Sequence, residues 1–159
     1  MTNAVSVIDA LRGAGLQLEL GSATDMPTVY LDRDRLLEVG KTLRDDPRLQ
    51  FVFLADVTAV DLLPAEPRYE VVYHLASLGE HYRAAGATSA VPPMRLRVKV
   101  RVPGHDARIA SVTSLWPTAG WPEREVFDLF GLQFDGHPDL RRILMPEEWE
   151  GFPLRKDYP

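Results

Sequence analysis

A chain of 159 residues, 45% hydrophobic and 26% charged with a net charge of −5, has the make-up of one soluble globular domain. The acidic balance argues against general affinity for nucleic acid, whose phosphates need a basic footprint. Cysteine is absent, which excludes disulfides, thiol catalysis, Cys-ligated zinc and Cys-held iron–sulfur clusters within this chain.

The first fifteen residues hold one arginine, Arg12, and no long apolar run. They fit neither a secretory signal nor an Arg-rich transit peptide, so a prokaryotic cytoplasmic setting is expected. Asn3 is placed to cap a first helix with Ala4, Val7, Ile8 and Leu11 on one face, stopped at Gly13-Ala14-Gly15. Leu16, Leu18 and Leu20 alternate with Gln17 and Glu19 and predict a strand, and Thr28 to Leu31 a short second one. Asp32 or Asp34 is then positioned to cap a helix with Leu36, Val39 and Leu43 at helical spacing, closed before Pro47.

Strands follow at Phe51 to Leu62, Arg68 to Leu78 and Met94 to Val102. The first holds the strongest apolar run, which stops at Asp56, far short of the roughly 20 residues a membrane-spanning helix needs. The third alternates most cleanly, with Met94, Leu96, Val98, Val100 and Val102 on one face and Arg95, Arg97, Lys99 and Arg101 on the other. The small-residue-rich loop Gly79 to Pro93 between the last two reads as mobile or inserted. A fourth strand, Ala107 to Leu115, leads to a helix opening at Pro122 and stopped by Gly131. The expected fold is α+β: a two-layer sandwich with helices on one face of a largely antiparallel sheet, then a C-terminal helix and extended tail. Residues 1–131 form the domain and 132–159 the tail.

Most catalytic signatures fail. Gly40-Lys41-Thr42 imitates the end of a phosphate-binding loop, but Arg35 stands where its first glycine belongs and the segment is helical. Gly13 and Gly15 lack a third glycine, and no Gly-x-Ser-x-Gly elbow occurs. His74, His81, His105 and His137 have no metal-ligand spacing, and His137 beside Asp135 and Asp139 reads as a turn-stabilising residue rather than a ligand. The cationic face of Arg95, Arg97, Lys99 and Arg101 admits three readings. It is a solvated face paired with carboxylates such as Glu70, a dock for an acidic protein, or an RNA surface. RNA comes last because sheet-type readers stack bases on exposed aromatics that this face lacks.

Pro122 opens a helix whose Glu123 and Glu125 suit the positive end of its dipole and whose Val126, Leu129 and Phe130 form an apolar stripe. Arg124 and Asp128, four apart, are spaced to pair, and Glu125 and Asp128, three apart, share a face. An acid/base site of Glu125, Asp128 and His137 is one reading. The favoured one is a charged helix start clamped by Arg141 and Arg142 through bidentate pairs. In the tail, Pro138, Pro146 and Pro153 exclude long regular structure. Leu140, Ile143, Leu144, Met145, Trp149, Phe152 and Tyr158 are more apolar surface than the domain is expected to absorb.

PRYEVVYHLASL (Pro67 to Leu78), RLRVKVRVPG (Arg95 to Gly104) and SVTSLWPTAGWPEREVFDLFGLQFDGHPDLRRILMPEEWEGFPLRKDYP (Ser111 to Pro159) resemble the 30-kDa or C subunit of respiratory complex I, the proton-pumping NADH:quinone oxidoreductase. Phe152 departs from the histidine usual before Pro-Leu-Arg-Lys-Asp, and many relatives continue past the point where this chain ends. The resemblance implies a cofactor-free subunit of the peripheral arm on the cytoplasmic face of the bacterial inner membrane, held there only through its complex. It implies packing against the D subunit, which helps form the quinone pocket, near the cluster-bearing subunits B and I. FMN and iron–sulfur clusters reside in partner subunits and carry electrons from NADH to quinone. The interface and signature residues it implies are Glu123, Arg124, Glu125, Asp128, Gly136, His137, Pro138, Asp139, Arg141, Arg142, Trp149, Arg155 and Lys156. No catalytic, cofactor or metal residue is expected. Equivalent subunits of energy-converting hydrogenases and F420H2 dehydrogenases are the near alternative, and a free-standing acid/base enzyme the remote one.

Overall fold

In the computed structural model, which describes residues 4–79 and 92–159, the Met94 to Val102 segment sits at the centre of the molecule. Its alternation sends Met94, Leu96, Val98, Val100 and Val102 into the core and leaves Arg95 and Arg101 exposed. This strand, β5 (Met94–Val102), is the third of an antiparallel meander with β3 (Phe53–Asp61) and β4 (Tyr69–Ser77), in register Val57↔Tyr73 and Tyr73↔Val98. Its other edge takes β2 (Thr28–Leu31) in parallel, Val29↔Val98, and β2 pairs antiparallel with the two-residue β1 (Glu19–Leu20). The sheet order is β1-β2-β5-β4-β3, so three of its four pairings are antiparallel.

Helices α1 (Ala4–Gly13), α2 (Leu36–Asp45) and α3 (Gly120–Phe130) feed Val7 and Leu11, Leu36, Val39 and Leu43, and Val126 and Phe130 into one core cluster with the inner face of the sheet. The expected α+β sandwich stands, with the sheet mixed by its one parallel pair. Trp116 locks the layers: its indole N–H donates to the Phe51 carbonyl at 2.9 Å, and the Phe51 amide returns to Leu43 at the end of α2. Gly40 lets this happen, since a Cβ there would lie 2.7 Å from Leu115 Cδ1. The Gly40-Lys41-Thr42 imitation of a phosphate loop is therefore a site of close helix packing.

Several expectations need correction. The cap assigned to Asn3 and most of the Gly79 to Pro93 loop lie outside the described residues. Of the leucine alternation only Glu19–Leu20 pairs as strand; Leu16 is buried directly behind α1. Neither Asp32 nor Asp34 caps α2 through its side chain: a 3-10 turn, Arg33–Arg35, runs straight into Leu36 and satisfies the first amide internally, Arg35 N–H to Asp32 O. The strand expected over Ala107 to Leu115 is cut to β6 (Arg108–Ala110), because Ser111 and Val112 turn away to bind Glu123. β6 pairs in parallel with β7 (Gln133–Asp135), a strand the proline-rich character of the segment after Gly131 concealed. Pro122 is the third residue of α3, not its first, still within the turn where its missing N–H is harmless.

Candidate functional site

The C-terminal third is organised around α3. Its last turn leaves four carbonyls without helical partners, and each finds a donor. Gly131, left-handed at φ 75°, returns its N–H to Phe127 O; Arg142 reaches Asp128 O; the Leu154 N–H reaches Leu129 O; Arg155 reaches Phe130 O at 2.6 Å. Two of these donors are cations at the negative end of the helix dipole. The chain thus leaves α3 at Gly131 and comes back twice to cap it.

Asp128 is the hub. Its side chain is wholly buried, and burial alone would raise its pKa. The Met145 amide, the Arg142 guanidinium and the amides of Ile143 and Leu144 outweigh that and hold it below the ordinary range. One oxygen accepts all three successive amides at 2.7–3.0 Å and the other accepts Arg142 at 2.7 Å. Arg142 spends its remaining donors on the carbonyls of Trp149 and Gly151. Arg124 grips the carbonyls of Arg141 and Arg142 from the helix side. A second anchor lies further on. Asp61 accepts a two-pronged bond from Arg68 and the Lys156 amide, its pKa driven down chiefly by Arg68, and Arg68 also holds Asp157. Phe152 lies against the guanidiniums of Arg142 and Arg155 with its ring edge-on to Phe127 at 6.5 Å.

Glu123 behaves differently. It is 0% exposed, with the Ser111 hydroxyl donating at 2.6 Å and the Val112 N–H at 2.7 Å, and among the described residues no Lys or Arg answers it. Burial raises its pKa, and the two hydrogen bonds offset this only in part. The His137 ring lies 4.0 Å away, but the Asp139 N–H donates to its Nδ1 and its Nε2 lies 2.8 Å from the Gly120 carbonyl, so both ring nitrogens are engaged in bracing a turn.

What this scaffold holds out to solvent is apolar. Trp121 is 73% exposed, Leu144 62%, Leu154 53% and Trp149 40%. Trp121, Pro122, Pro138, Ile143 and Leu144 line one groove of about 690 Å³, with Glu125 at its side. No helix among the described residues is long and apolar enough to cross a membrane, and no group of three His, Asp or Glu among them is placed to hold a metal ion.

The family model of the respiratory-chain NADH dehydrogenase 30 Kd subunit matches residues 29–159. The chain belongs to this family. It is 46% identical over 157 residues to the C subunit of the NADH-quinone oxidoreductase of Roseiflexus sp. (strain RS-1), covering 97% of this chain and 83% of that one. To the C subunit of the same enzyme from Citrifermentans bemidjiense it is 48% identical over 132 residues, 83% of this chain and 73% of that one. Among solved structures, the trypsin-resistant fragment (1-134) of Nqo5 superposes with a TM-score of 0.61 at 34% identity, covering 87% of this chain and all of the fragment. A chain of the membrane-bound sulfane sulfur reductase, an archaeal respiratory membrane complex, superposes at 0.72 with 25% identity, covering 96% and 83%.

The residues that the resemblance singled out fall into two groups. Glu123, Arg124, Asp128, His137, Arg142, Arg155 and Lys156 have their backbone or side chains bonded inside the chain, whereas Glu125, Gly136, Pro138, Asp139, Arg141 and Trp149 face solvent. The spacing-based pair Arg124–Asp128 does not form, because Arg142 and three amides occupy the carboxylate first. The expected bidentate clamp on the helix start does not form: Arg142 meets Asp128, near the end of α3, through one nitrogen, and Arg141 pairs with Asp139 at 2.8 Å. Glu125, Asp128 and His137 build no acid/base site: Glu125 is exposed, Asp128 is saturated, and both ring nitrogens of His137 are engaged. Three of the four cations of the strand face are paired, Lys99 with Glu70, Arg97 with Asp25 and Arg101 with Glu19, while exposed Arg95 has no ion pair among the described residues. Sequence reasoning passed over Ser111, Asp61, Arg68 and Trp121. Trp121 sits roughly 140° around the helix from Val126, which signalled an outward face.

Proposed function

We propose that this chain is the cofactor-free structural subunit of the peripheral arm of a bacterial NADH:quinone oxidoreductase. In that enzyme FMN and iron–sulfur clusters of partner subunits pass electrons from NADH to quinone, coupled to proton translocation. The chain docks through its C-terminal face on the D subunit, beside subunits B and I, at the cytoplasmic side of the inner membrane, and reaches the membrane only through the assembly. The observation that carries this reading is the α3–tail unit. Two buried anchors and four capped carbonyls hold the backbone rigid, while Trp121, Leu144 and Trp149 stand in water on it. Large exposed apolar side chains on a preorganised frame are the usual make-up of a protein interface.

Purification of a tagged copy from its own membranes tests it. Subunits B, D and I with NADH:quinone activity are the expected companions. The likeness to the archaeal sulfur-reductase chain favours one second reading, an equivalent scaffold in another respiratory membrane complex; recovery with that machinery and no NADH-oxidising subunits would select it. A monomer in the soluble fraction would end both.

A further inference from the structure

The exposed glutamates of the C-terminal face stand out by what they lack. Glu125 sits at the side of the Trp121–Leu144 groove, and Glu147, Glu148 and Glu150 follow within a few residues of Leu144, in the turn that Arg142 ties down through the Trp149 and Gly151 carbonyls. All four are exposed, and none has a cation within ion-pair distance among the described residues. Some exposed carboxylates elsewhere are matched, Glu19 by Arg101, Asp25 by Arg97 and Asp135 by Arg108, whereas others such as Asp34, Asp56 and Glu66 have no ion pair either. What is particular here is three unpaired glutamates close together in sequence, with a fourth, Glu125, beside an apolar groove. The local arginines are committed elsewhere: Arg124 to two carbonyls, Arg142 to Asp128, and Arg141, close enough to Glu147 to feel its charge, to Asp139.

The groove has an apolar lining broken by Glu125, Asp139 and the already engaged Arg124. The unpaired Glu147, Glu148 and Glu150 in the turn just after Leu144 extend an acidic rim along that face, on a backbone that Asp128 fixes from behind through the amides of Ile143, Leu144 and Met145. Such a rim repels anionic lipid headgroups and nucleic acid. It attracts cations, and the apolar lining requires an apolar side chain beside them.

We infer that this groove receives a basic segment of a sister subunit, one that lays an aliphatic or aromatic side chain between Trp121 and Leu144 and sets lysines or arginines against Glu125, Glu147, Glu148 and Glu150. This rests on the reading of the C-terminal face as a subunit interface and adds the partner's chemistry to it. The rim charges speed and orient docking, and the apolar insertion supplies the holding energy.

The test uses the complex purified from membranes with this chain tagged. Carbodiimide activation joins a carboxylate to a lysine amine within ion-pair reach, and glycinamide in the medium caps every carboxylate left free; peptide mass spectrometry reads both. The expected result is that the four glutamates couple to a sister subunit or resist capping, while exposed Asp34 is capped fully. In parallel, a variant carrying E125Q, E147Q, E148Q and E150Q should be retained in the complex about tenfold less at ~0.15 M salt, with the salt sensitivity of retention flattened. These side chains make no ion pairs within the described residues, so the substitutions leave the fold alone. Full capping of all four glutamates in the assembled complex, with wild-type retention of the variant, overturns the inference. If W121A then still weakens retention, the face remains an interface with an uncharged occupant. If W121A is retained like wild type as well, the docking reading of the groove fails too.

Discussion

On the outer face of β5, Arg101 meets Glu19 at the surface and also lies over the Tyr30 ring at 4.0 Å. In the C-terminal segment, Arg142 meets Asp128 in the interior, and the same carboxylate organises three backbone amides and, through Arg142, two carbonyls. The charges are alike in kind and unlike in consequence. At the surface water competes for each ion, so losing a pair costs little. In the interior every partner left behind is a desolvated polar group, so the hub cannot lose a member cheaply. The first arrangement coats a sheet; the second gives a segment without regular structure one conformation.

The hub is the place to break this contrast. Asp128→Ala should cost about 3 kcal/mol in urea unfolding, since it strands Arg142 and three amides, and protease cleavage near Ile143 should accelerate with it. A loss below about 1 kcal/mol would place Asp128 in the same class as the surface pairs.

Glu123 sharpens the comparison within one helix. Glu123→Ala should cost about 2 kcal/mol by orphaning the Ser111 hydroxyl and Val112 amide. The pH dependence has a definite sign. Burial raises the folded pKa of Glu123 above its unfolded value, so its contribution is fully present below the unfolded value and is lost as pH rises through the folded one. Asp128, lowered in the fold, contributes in the opposite sense: its part is present above the ordinary carboxyl range and lost as pH falls below it. Glu123→Gln should therefore remove the decline on the alkaline side of the carboxyl range and leave the acid limb intact, read from urea midpoints against pH. An unchanged alkaline side would mean that Glu123 titrates normally.

The Tyr73 hydroxyl is buried with no hydrogen-bond partner among the described residues, and burial, reinforced by Glu123, pushes its pKa well up. Tyr73→Phe should accordingly leave stability equal or raise it by up to about 1 kcal/mol; a clear loss would reveal a bond at that hydroxyl. Smallest of all, Arg101→Ala on the sheet should change stability by less than about 1 kcal/mol, and a larger drop would erase the distinction between the two regions.

Local chemistry was legible before the structure. The alternation from Met94 to Val102 identified the central strand and its buried face, Val126 and Phe130 the inner stripe of α3, and Gly131 its stop, because helix and strand periods dictate which neighbours share a face. The dense block from Ser111 to Pro159 carried the family. Spacing misled wherever the chain returned on itself. Arg124 is ideally placed for Asp128 along the helix, yet Arg142 has it; the β7 strand hid in a proline-rich segment; nothing nearby marked Glu123 for burial beneath Ser111. Sequence by itself determined the long elements, their apolar faces and the family. Only the tertiary structure decided which carboxylate is buried, which cation answers it and which tryptophan is left in water. Those choices depend on residues brought together across long separations, where burial, not spacing, sets the strength of each interaction.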